Sequence, residues 1–297
     1  MNDSFTYISR ILNTEQATEM CQKLVWRPEC PVALERLRKV CFSHYTFDNT
    51  VCHDGELVVL DSVVPFVGNI FKQLFEIRFP LQQARVIEYY DGSDERSLAD
   101  NNSACFNCRE IVGGGLPSIH AYGLAIDINP IQNPYIAPQD LSNPLQGQLQ
   151  VLPAAGADYL NRRNQRPGMV EGIVDIFKEN GFYIWGGNWN NPIDYQHFQP
   201  SRAMAQMLAV MTSKHASQFF SLYVQQPLLM NQVDAKRNCF VELYHKNPQS
   251  FMDILHHKSD IMSWEPLPAQ QYFEARLTSV RCKAAKRVVR YKLLKRL

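Results

Sequence analysis

His120 and Asp127 stand seven residues apart in SIHAYGLAIDINP (118–130), and Asp194 and His197 three apart in WGGNWNNPIDYQHFQP (185–200). Two imidazoles and one carboxylate form a ligand set that zinc accepts, and a catalytic zinc keeps a fourth position for water. His120, Asp127 and His197 supply that set. Asp194 is left beside it as a general base. Asp127 in particular demands an explanation, because a carboxylate inside an apolar run is costly unless it is paired or bound to a cation.

The elements that must position these groups read as follows. In a strand over LAIDI (124–128), Leu124, Ile126 and Ile128 share the core face, and Ala125 and Asp127 the other. Gly123 permits a bend, so that His120 and Asp127 converge. The spacing of Asp194 and His197 serves two geometries: one side of a helical turn, or a loop end followed by a strand. Upstream, Asn13 and Gln16 form a capping box opening a helix through Leu24. Residues 30–42 have mixed periodicity and stay unassigned. Residues 56–64 begin as a strand. Val67, Ile70, Phe71, Leu74 and Phe75 have helical spacing in 66–80, with Pro80 as the stop. ARVIEYY (84–90) reads as a strand, and 91–118 as a polar, glycine-rich stretch too long for an ordinary connection. Residues 130–168 read as irregular, a segment able to fold over a cleft. Residues 170–182 read as an amphipathic helix with Gly181 at its C-terminal end, and 182–185 as a strand. Past Pro200 the pattern turns helical, which predicts a boundary near 205 and two parts, 1–204 and 205–297.

The bulk composition bounds the reading. The chain has 297 residues, 45% hydrophobic and 20% charged, as in an ordinary globular protein. No apolar run reaches the ~20 residues of a membrane span, and the first residues lack the pattern of a signal peptide. Net charge is +1, yet residues 281–297 hold eight Lys/Arg and no acid, so the other 280 residues carry the remaining 22 basic groups against all 29 acids. A helical tail of that kind suits an anionic wall polymer or membrane surface; docking on the acidic body is the alternative, and nucleic acid is not expected. Eight cysteines in this length read as mostly reduced thiols, and the single C-x-x-C at 105–108 has no second pair to complete a structural zinc site. His245 and the pair His256 and His257 read as solvated helix positions.

With these residues in view, S-x-H-x-x-G-x-A-x-D (118–127) followed by D-Y-Q-H-F (194–198) resembles the zinc D-alanyl-D-alanine carboxypeptidases and dipeptidases, within the group that includes lysostaphin and the hedgehog signalling domain. RSLADNNSACFNCR (96–109), INPIQNPY (128–135), NQRPGM (164–169) and GFYIWGGNW (181–189) extend the resemblance over roughly residues 26–200. It implies an α+β fold, a hedgehog/DD-peptidase-like antiparallel sheet with flanking helices, here followed by a mainly helical C-terminal extension. It implies Zn2+ held by His120, Asp127 and His197, Asp194 as the catalytic carboxylate where many relatives have glutamate, and Arg109 as the cation for the substrate carbonyl or carboxylate.

By the same resemblance Ser118 orients a ligand or substrate; Cys105 and Cys108 stand on the loop beside Arg109, and whether they are bridged or free is left open. Tyr122, Trp189, Trp185 and Tyr135 are groove-lining aromatics, each equally able to serve as plain packing. The implied substrate is a peptidoglycan stem peptide with D-amino acids, outside the cytoplasm. The implied activity is a D-alanyl-D-alanine carboxypeptidase. Two alternatives share the ligand set: a lytic endopeptidase of the L-Ala-D-Glu type, and a zinc-containing binding module without turnover.

Overall fold

The computed structural model describes residues 4–138, 148–225, 233 and 240–256, with the side chains of 254–256 excepted. It mixes helices with small, mainly antiparallel sheets and divides into two compact units, 1–200 and 201–297. No helix among the described residues is long and apolar enough to cross a membrane. The basic tail 281–297, His257, Cys239 and Cys282 lie outside the described residues.

The first unit opens with β1 (Tyr7–Ile11) and α1 (Thr14–Gln22). Asn13 and Gln16 form the expected reciprocal box: Gln16 N–H donates to Asn13 Oδ1 at 2.8 Å, and Asn13 N–H to Gln16 Oε1 at 3.1 Å. The helix stops short of Leu24, whose φ of 56° is left-handed. The unassigned stretch resolves into β2 (Leu37–Tyr45), which pairs with β1 and with β3 (Val51–Leu60) in one antiparallel sheet.

The apolar face predicted for 66–80 covers that sheet as α2 (Val64–Glu76), with Phe71 stacked on Phe42 at 3.8 Å between ring centroids. The helix ends before Pro80 is reached. Arg78 turns left-handed at φ 54°, Phe79 N–H donates to Leu74 O at 2.8 Å and Arg78 N–H to Phe75 O at 3.0 Å. That is a Schellman ending, which satisfies the last carbonyls without help from proline.

The strand expected over 84–90 does not form. β4 is only Gln83–Ala84, paired in parallel with β5 (Asn102–Ser103), and Ile87–Tyr90 is a 3-10 turn. Asp91 at φ 54° and Gly92 reverse the chain and accept it into that turn through Asp91 N–H to Glu88 O and Gly92 N–H to Ile87 O, both 3.1 Å. A short helix, α3 (Asp94–Ala99), occupies part of the long polar stretch.

The strand expected over 124–128 contracts to β6 (Ile126–Asp127). The stretch expected to be irregular holds β7 (Tyr135–Pro138) and β8 (Leu149–Leu152), an antiparallel pair; residues 139–147 lie outside the description. The helix expected over 170–182 is a 3-10 turn, Glu171–Ile173, followed by α4 (Val174–Glu179), and Gly181 takes φ 88° just past its end. β9 (Ile184–Trp185), β10 (Ile193–Asp194) and β11 (His197–Gln199) follow. β10 joins β7 and β8, and β11 lies between β6 and β9. Under this second sheet Phe177 stacks on Phe198 at 3.9 Å.

In the second unit Ser201 Oγ accepts from Met204 N–H and opens α5 (Arg202–Val210); α6 (Ser213–Gln225) and a helix over Pro248–His256 follow. Met207, Leu208, Phe219, Phe220 and Phe251 are buried within it, and His245 is exposed.

Candidate metal centre

Asp127 and His197 are brought together by backbone pairing. They are direct partners in the antiparallel β6–β11 ladder, and opposed residues in such a ladder project to the same face. Of the two geometries open for Asp194 and His197, the chain adopts the strand: Asp194 ends β10 and His197 begins β11. On the other side of β6, Ala104 and Asp127 exchange backbone hydrogen bonds at 3.1 and 2.9 Å. His120 rides on a 3-10 turn, Ile119–Tyr122. Ser118 Oγ accepts from His120 N–H at 3.3 Å at its start, and Gly123 closes it at φ 66°. A Cβ on Gly123 would sit 2.7 Å from Leu60 N, whose N–H donates to Gly123 O at 3.0 Å. Only glycine lets the turn press against the end of β3.

Three potential ligand atoms meet at one point. His120 Nε2 lies 3.2 Å from Asp127 Oδ2 and 3.2 Å from His197 Nδ1, and His197 Nδ1 lies 2.9 Å from Asp127 Oδ1. The outward nitrogens fix the tautomers. His120 Nδ1 is 2.5 Å from the Cys105 carbonyl, which can only accept, so the proton sits on Nδ1 and the Nε2 lone pair points inward. His197 Nε2 donates in the same way to Gln199 Oε1 at 2.6 Å, leaving the Nδ1 lone pair facing the centre. Two imidazole lone pairs and a carboxylate within 4.8 Å of one another call for a cation between them. Imidazoles whose outer N–H is held by a carbonyl-type oxygen are the usual form of zinc-binding histidine. The residues present therefore fit a zinc ion.

Burial sharpens this. His120, Asp127 and His197 are 5%, 8% and 6% exposed, and Ala125 is fully buried. The face that Asp127 shares with Ala125 is thus covered, and the two histidines compensate the carboxylate charge. Burial pushes the Asp127 carboxyl up, but His120 and His197 outweigh that and hold it well below the usual carboxylate range. His197 is shifted the other way: burial lowers it, and the hydrogen bond and charge of Asp127 raise it further.

Asp194 is 9% exposed, and its Oδ1 is buried without a hydrogen-bond partner. Burial, then the charge of Asp127, push its carboxyl up to about 6, against the opposing pull of the two imidazoles. Its strand comes close because Gly186 has no side chain: a Cβ there would meet Asp194 Cβ at 2.9 Å. Opposite Asp194 in the β10–β7 pair is Tyr135, raised by burial and by the Asp194 charge and lowered by Arg109. Arg109 thus lies within electrostatic reach of Tyr135. Its guanidinium forms an ion pair with Asp94, both side chains about one-third exposed. Trp189 packs beside His197, its ring centroid 5.4 Å from that of the imidazole. Ser118 is buried and caps the His120 turn, and Tyr122 is 4% exposed.

Two supports escaped the sequence reading. The Cys105 carbonyl is a backbone group that no side-chain pattern reveals. Gln199 had a signal: two residues past His197 in a strand, it must share that face. The question left open at the C-x-x-C pair is decided: Cys105 and Cys108 are not bridged. Cys108 is bonded to Cys30, with Cα atoms 5.9 Å apart, and Cys105 is a free, buried thiol.

With that geometry established, comparison with known families returns one match: residues 113–200 fit the family described as D-alanyl-D-alanine carboxypeptidase. The matched segment contains Ser118, His120, Asp127, Asp194 and His197, while Arg109 lies just ahead of it. No curated protein and no solved structure matches the chain. The match covers just under a third of the chain but encloses the whole His-Asp-His cluster, and over this segment the protein is similar to the D-alanyl-D-alanine carboxypeptidase family.

Proposed function

We propose that the chain is a zinc metallopeptidase acting on D-amino-acid-containing stem peptides of bacterial peptidoglycan, as a D-alanyl-D-alanine carboxypeptidase. The observation that carries the reading is the inward convergence of His120 Nε2, His197 Nδ1 and the Asp127 carboxylate beside a second carboxylate, Asp194, whose buried Oδ1 has no partner. A zinc ion bound by those three residues would polarise the scissile carbonyl and bring the pKa of a water toward about 7.

Asp194 takes the proton released as water attacks and returns it to the departing amine. Proton transfer is most efficient when the pKa lies near the working pH, and the burial that raises the Asp194 carboxyl moves it in that direction. Arg109 receives the anionic oxygens of the substrate, for which a planar guanidinium is suited, by exchanging its partly exposed partner Asp94. Trp189 forms a wall of the groove. A hedgehog/DD-peptidase-like arrangement around β6 and β11, and contact of residues 281–297 with anionic wall polymer or membrane, belong to the same proposal.

The test is incubation of the zinc-loaded chain with the pentapeptide L-Ala-γ-D-Glu-L-Lys-D-Ala-D-Ala, read by mass spectrometry. Loss of one alanine is expected. Scission after L-Ala would reassign it as an endopeptidase, and an intact peptide with zinc bound would make it a binding module.

A further inference from the structure

Residues 104–109 run alongside the site, and their anchors fall into two groups. Ala104 exchanges two backbone hydrogen bonds with Asp127, the Cys105 carbonyl receives His120 Nδ1, and Asn107 N–H donates to His120 O at 3.3 Å. These anchors serve the ligand side. Beyond Asn107 the chain is tied elsewhere. Cys108 N–H donates to Val25 O at 3.1 Å, and the Cys108 sulfur is bonded to Cys30, 78 residues away in sequence.

Arg109 follows directly and starts a hairpin. Ser118 N–H donates to Arg109 O at 2.9 Å and Ile111 N–H to Leu116 O at 2.9 Å, with Ile111, Val112 and Leu116 exposed toward its tip. The ion pair of Arg109 with Asp94 is partly exposed and so contributes little to holding it.

We propose that the Cys30–Cys108 disulfide is a positioning element for the substrate-facing side of the site. It fixes the base of the Arg109 hairpin against residues 25–30 through a tie that includes none of the three ligands, so that the redox state of one bond governs substrate binding while metal binding is unchanged. The substrate half of this statement rests on the peptidase reading; the hairpin half does not. Cys30 is half-buried and Cys108 buried, so a reductant reaches the Cys30 sulfur first. With a trialkylphosphine the S–S bond breaks, the two sulfurs gain two electrons and two protons, and the phosphine takes the oxygen of one water to become its oxide. Cys108 then keeps its backbone bond to Val25 but loses the covalent tie, and the conformations open to the hairpin base increase.

The experiment uses the zinc-loaded full chain in three forms: disulfide-bonded, phosphine-reduced, and the Cys30→Ala/Cys108→Ala double variant. Amide hydrogen exchange, zinc affinity and steady-state kinetics on the same pentapeptide are measured for each. Exchange at 108–111 should quicken ~10-fold or more in the reduced and double-variant forms, with 107, 126–127 and 197–199 unchanged. Zinc affinity should stay within ~2-fold, and KM should rise ~10-fold with kcat nearly constant, the signature of lost binding that is common to ground and transition states.

Unchanged exchange, unchanged KM on a cleaved peptide, or zinc affinity lost in parallel would each overturn the proposal. If no form cleaves the peptide yet exchange quickens at 108–111 alone, the hairpin anchor stands and the peptidase reading falls. Should the double variant fail to fold, the reduced wild-type chain carries the same comparison.

Discussion

Asp127 and His197 oppose one another across a two-stranded antiparallel pairing, and His197 Nδ1 stands 2.9 Å from Asp127 Oδ1. The contact is made by backbone register, so replacing one side chain leaves the other in place. Asp127→Asn keeps the shape and removes the charge that the two imidazoles face. Zinc affinity, measured by competition with a chelator, should fall by more than the ~10–100-fold typical of losing a supporting partner. Retention of wild-type affinity would exclude Asp127 as a ligand.

Gln199 acts on the same ring from behind. Its Oε1 accepts the Nε2 proton of His197 at 2.6 Å and so keeps Nδ1 free to bind metal. Gln199→Leu should lower zinc affinity by ~10–100-fold, whereas Gln199→Glu, which still accepts that proton, should restore it. Equal affinities in the leucine and glutamine forms would mean that the ring needs no such support.

Asp194 gives a pH-dependent signature of two kinds. As a base it must be ionised, so kcat should fall as pH drops below the Asp194 pKa, and Asp194→Asn should lose ~100–10,000-fold in kcat with zinc still bound. Stability runs in the opposite sense. The folded carboxyl, raised to about 6 by burial and by Asp127, binds its proton more tightly than in the unfolded chain. The protonated form therefore stabilises the metal-free fold at low pH, and that contribution is lost as pH rises through about 6. Metal-free Asp194→Asn should accordingly be more stable than wild type at pH 8, by about 1–3 kcal/mol, with the difference vanishing near pH 4. Thermal melts at the two pH values check this, and a difference that persists at pH 4 would assign the effect to packing.

Gly123 couples the His120 turn to β3. Gly123→Ala combines a left-handed backbone, costing roughly 1–2 kcal/mol for a residue with a Cβ, with a 2.7 Å approach to Leu60 N. It should lower the melting temperature and weaken zinc binding together, because relief of the clash moves the turn that carries His120. A loss of stability with unchanged zinc affinity would show that the turn relaxes without moving the ring.

Much of this was readable in the chain before any fold was known, and the division has a physical basis. The capping box at Asn13 and Gln16 and the apolar face of α2 were legible because they depend on neighbours three or four positions away. His120, Asp127, Asp194 and His197 were legible as chemistry because their residue types and motif context are local. The 84–90 strand failed because an apolar run is compatible with both strand and turn, and the Asp91–Gly92 reversal decided between them. Residue types named the ligand set, but only tertiary structure could set His197 opposite Asp127, pair Cys108 with Cys30 instead of Cys105, and place a backbone carbonyl and Gln199 behind the two rings. Those relations join positions up to 78 residues apart. They form when apolar strands and helices bury one another and bring distant segments into register, a condition that no short stretch of sequence contains.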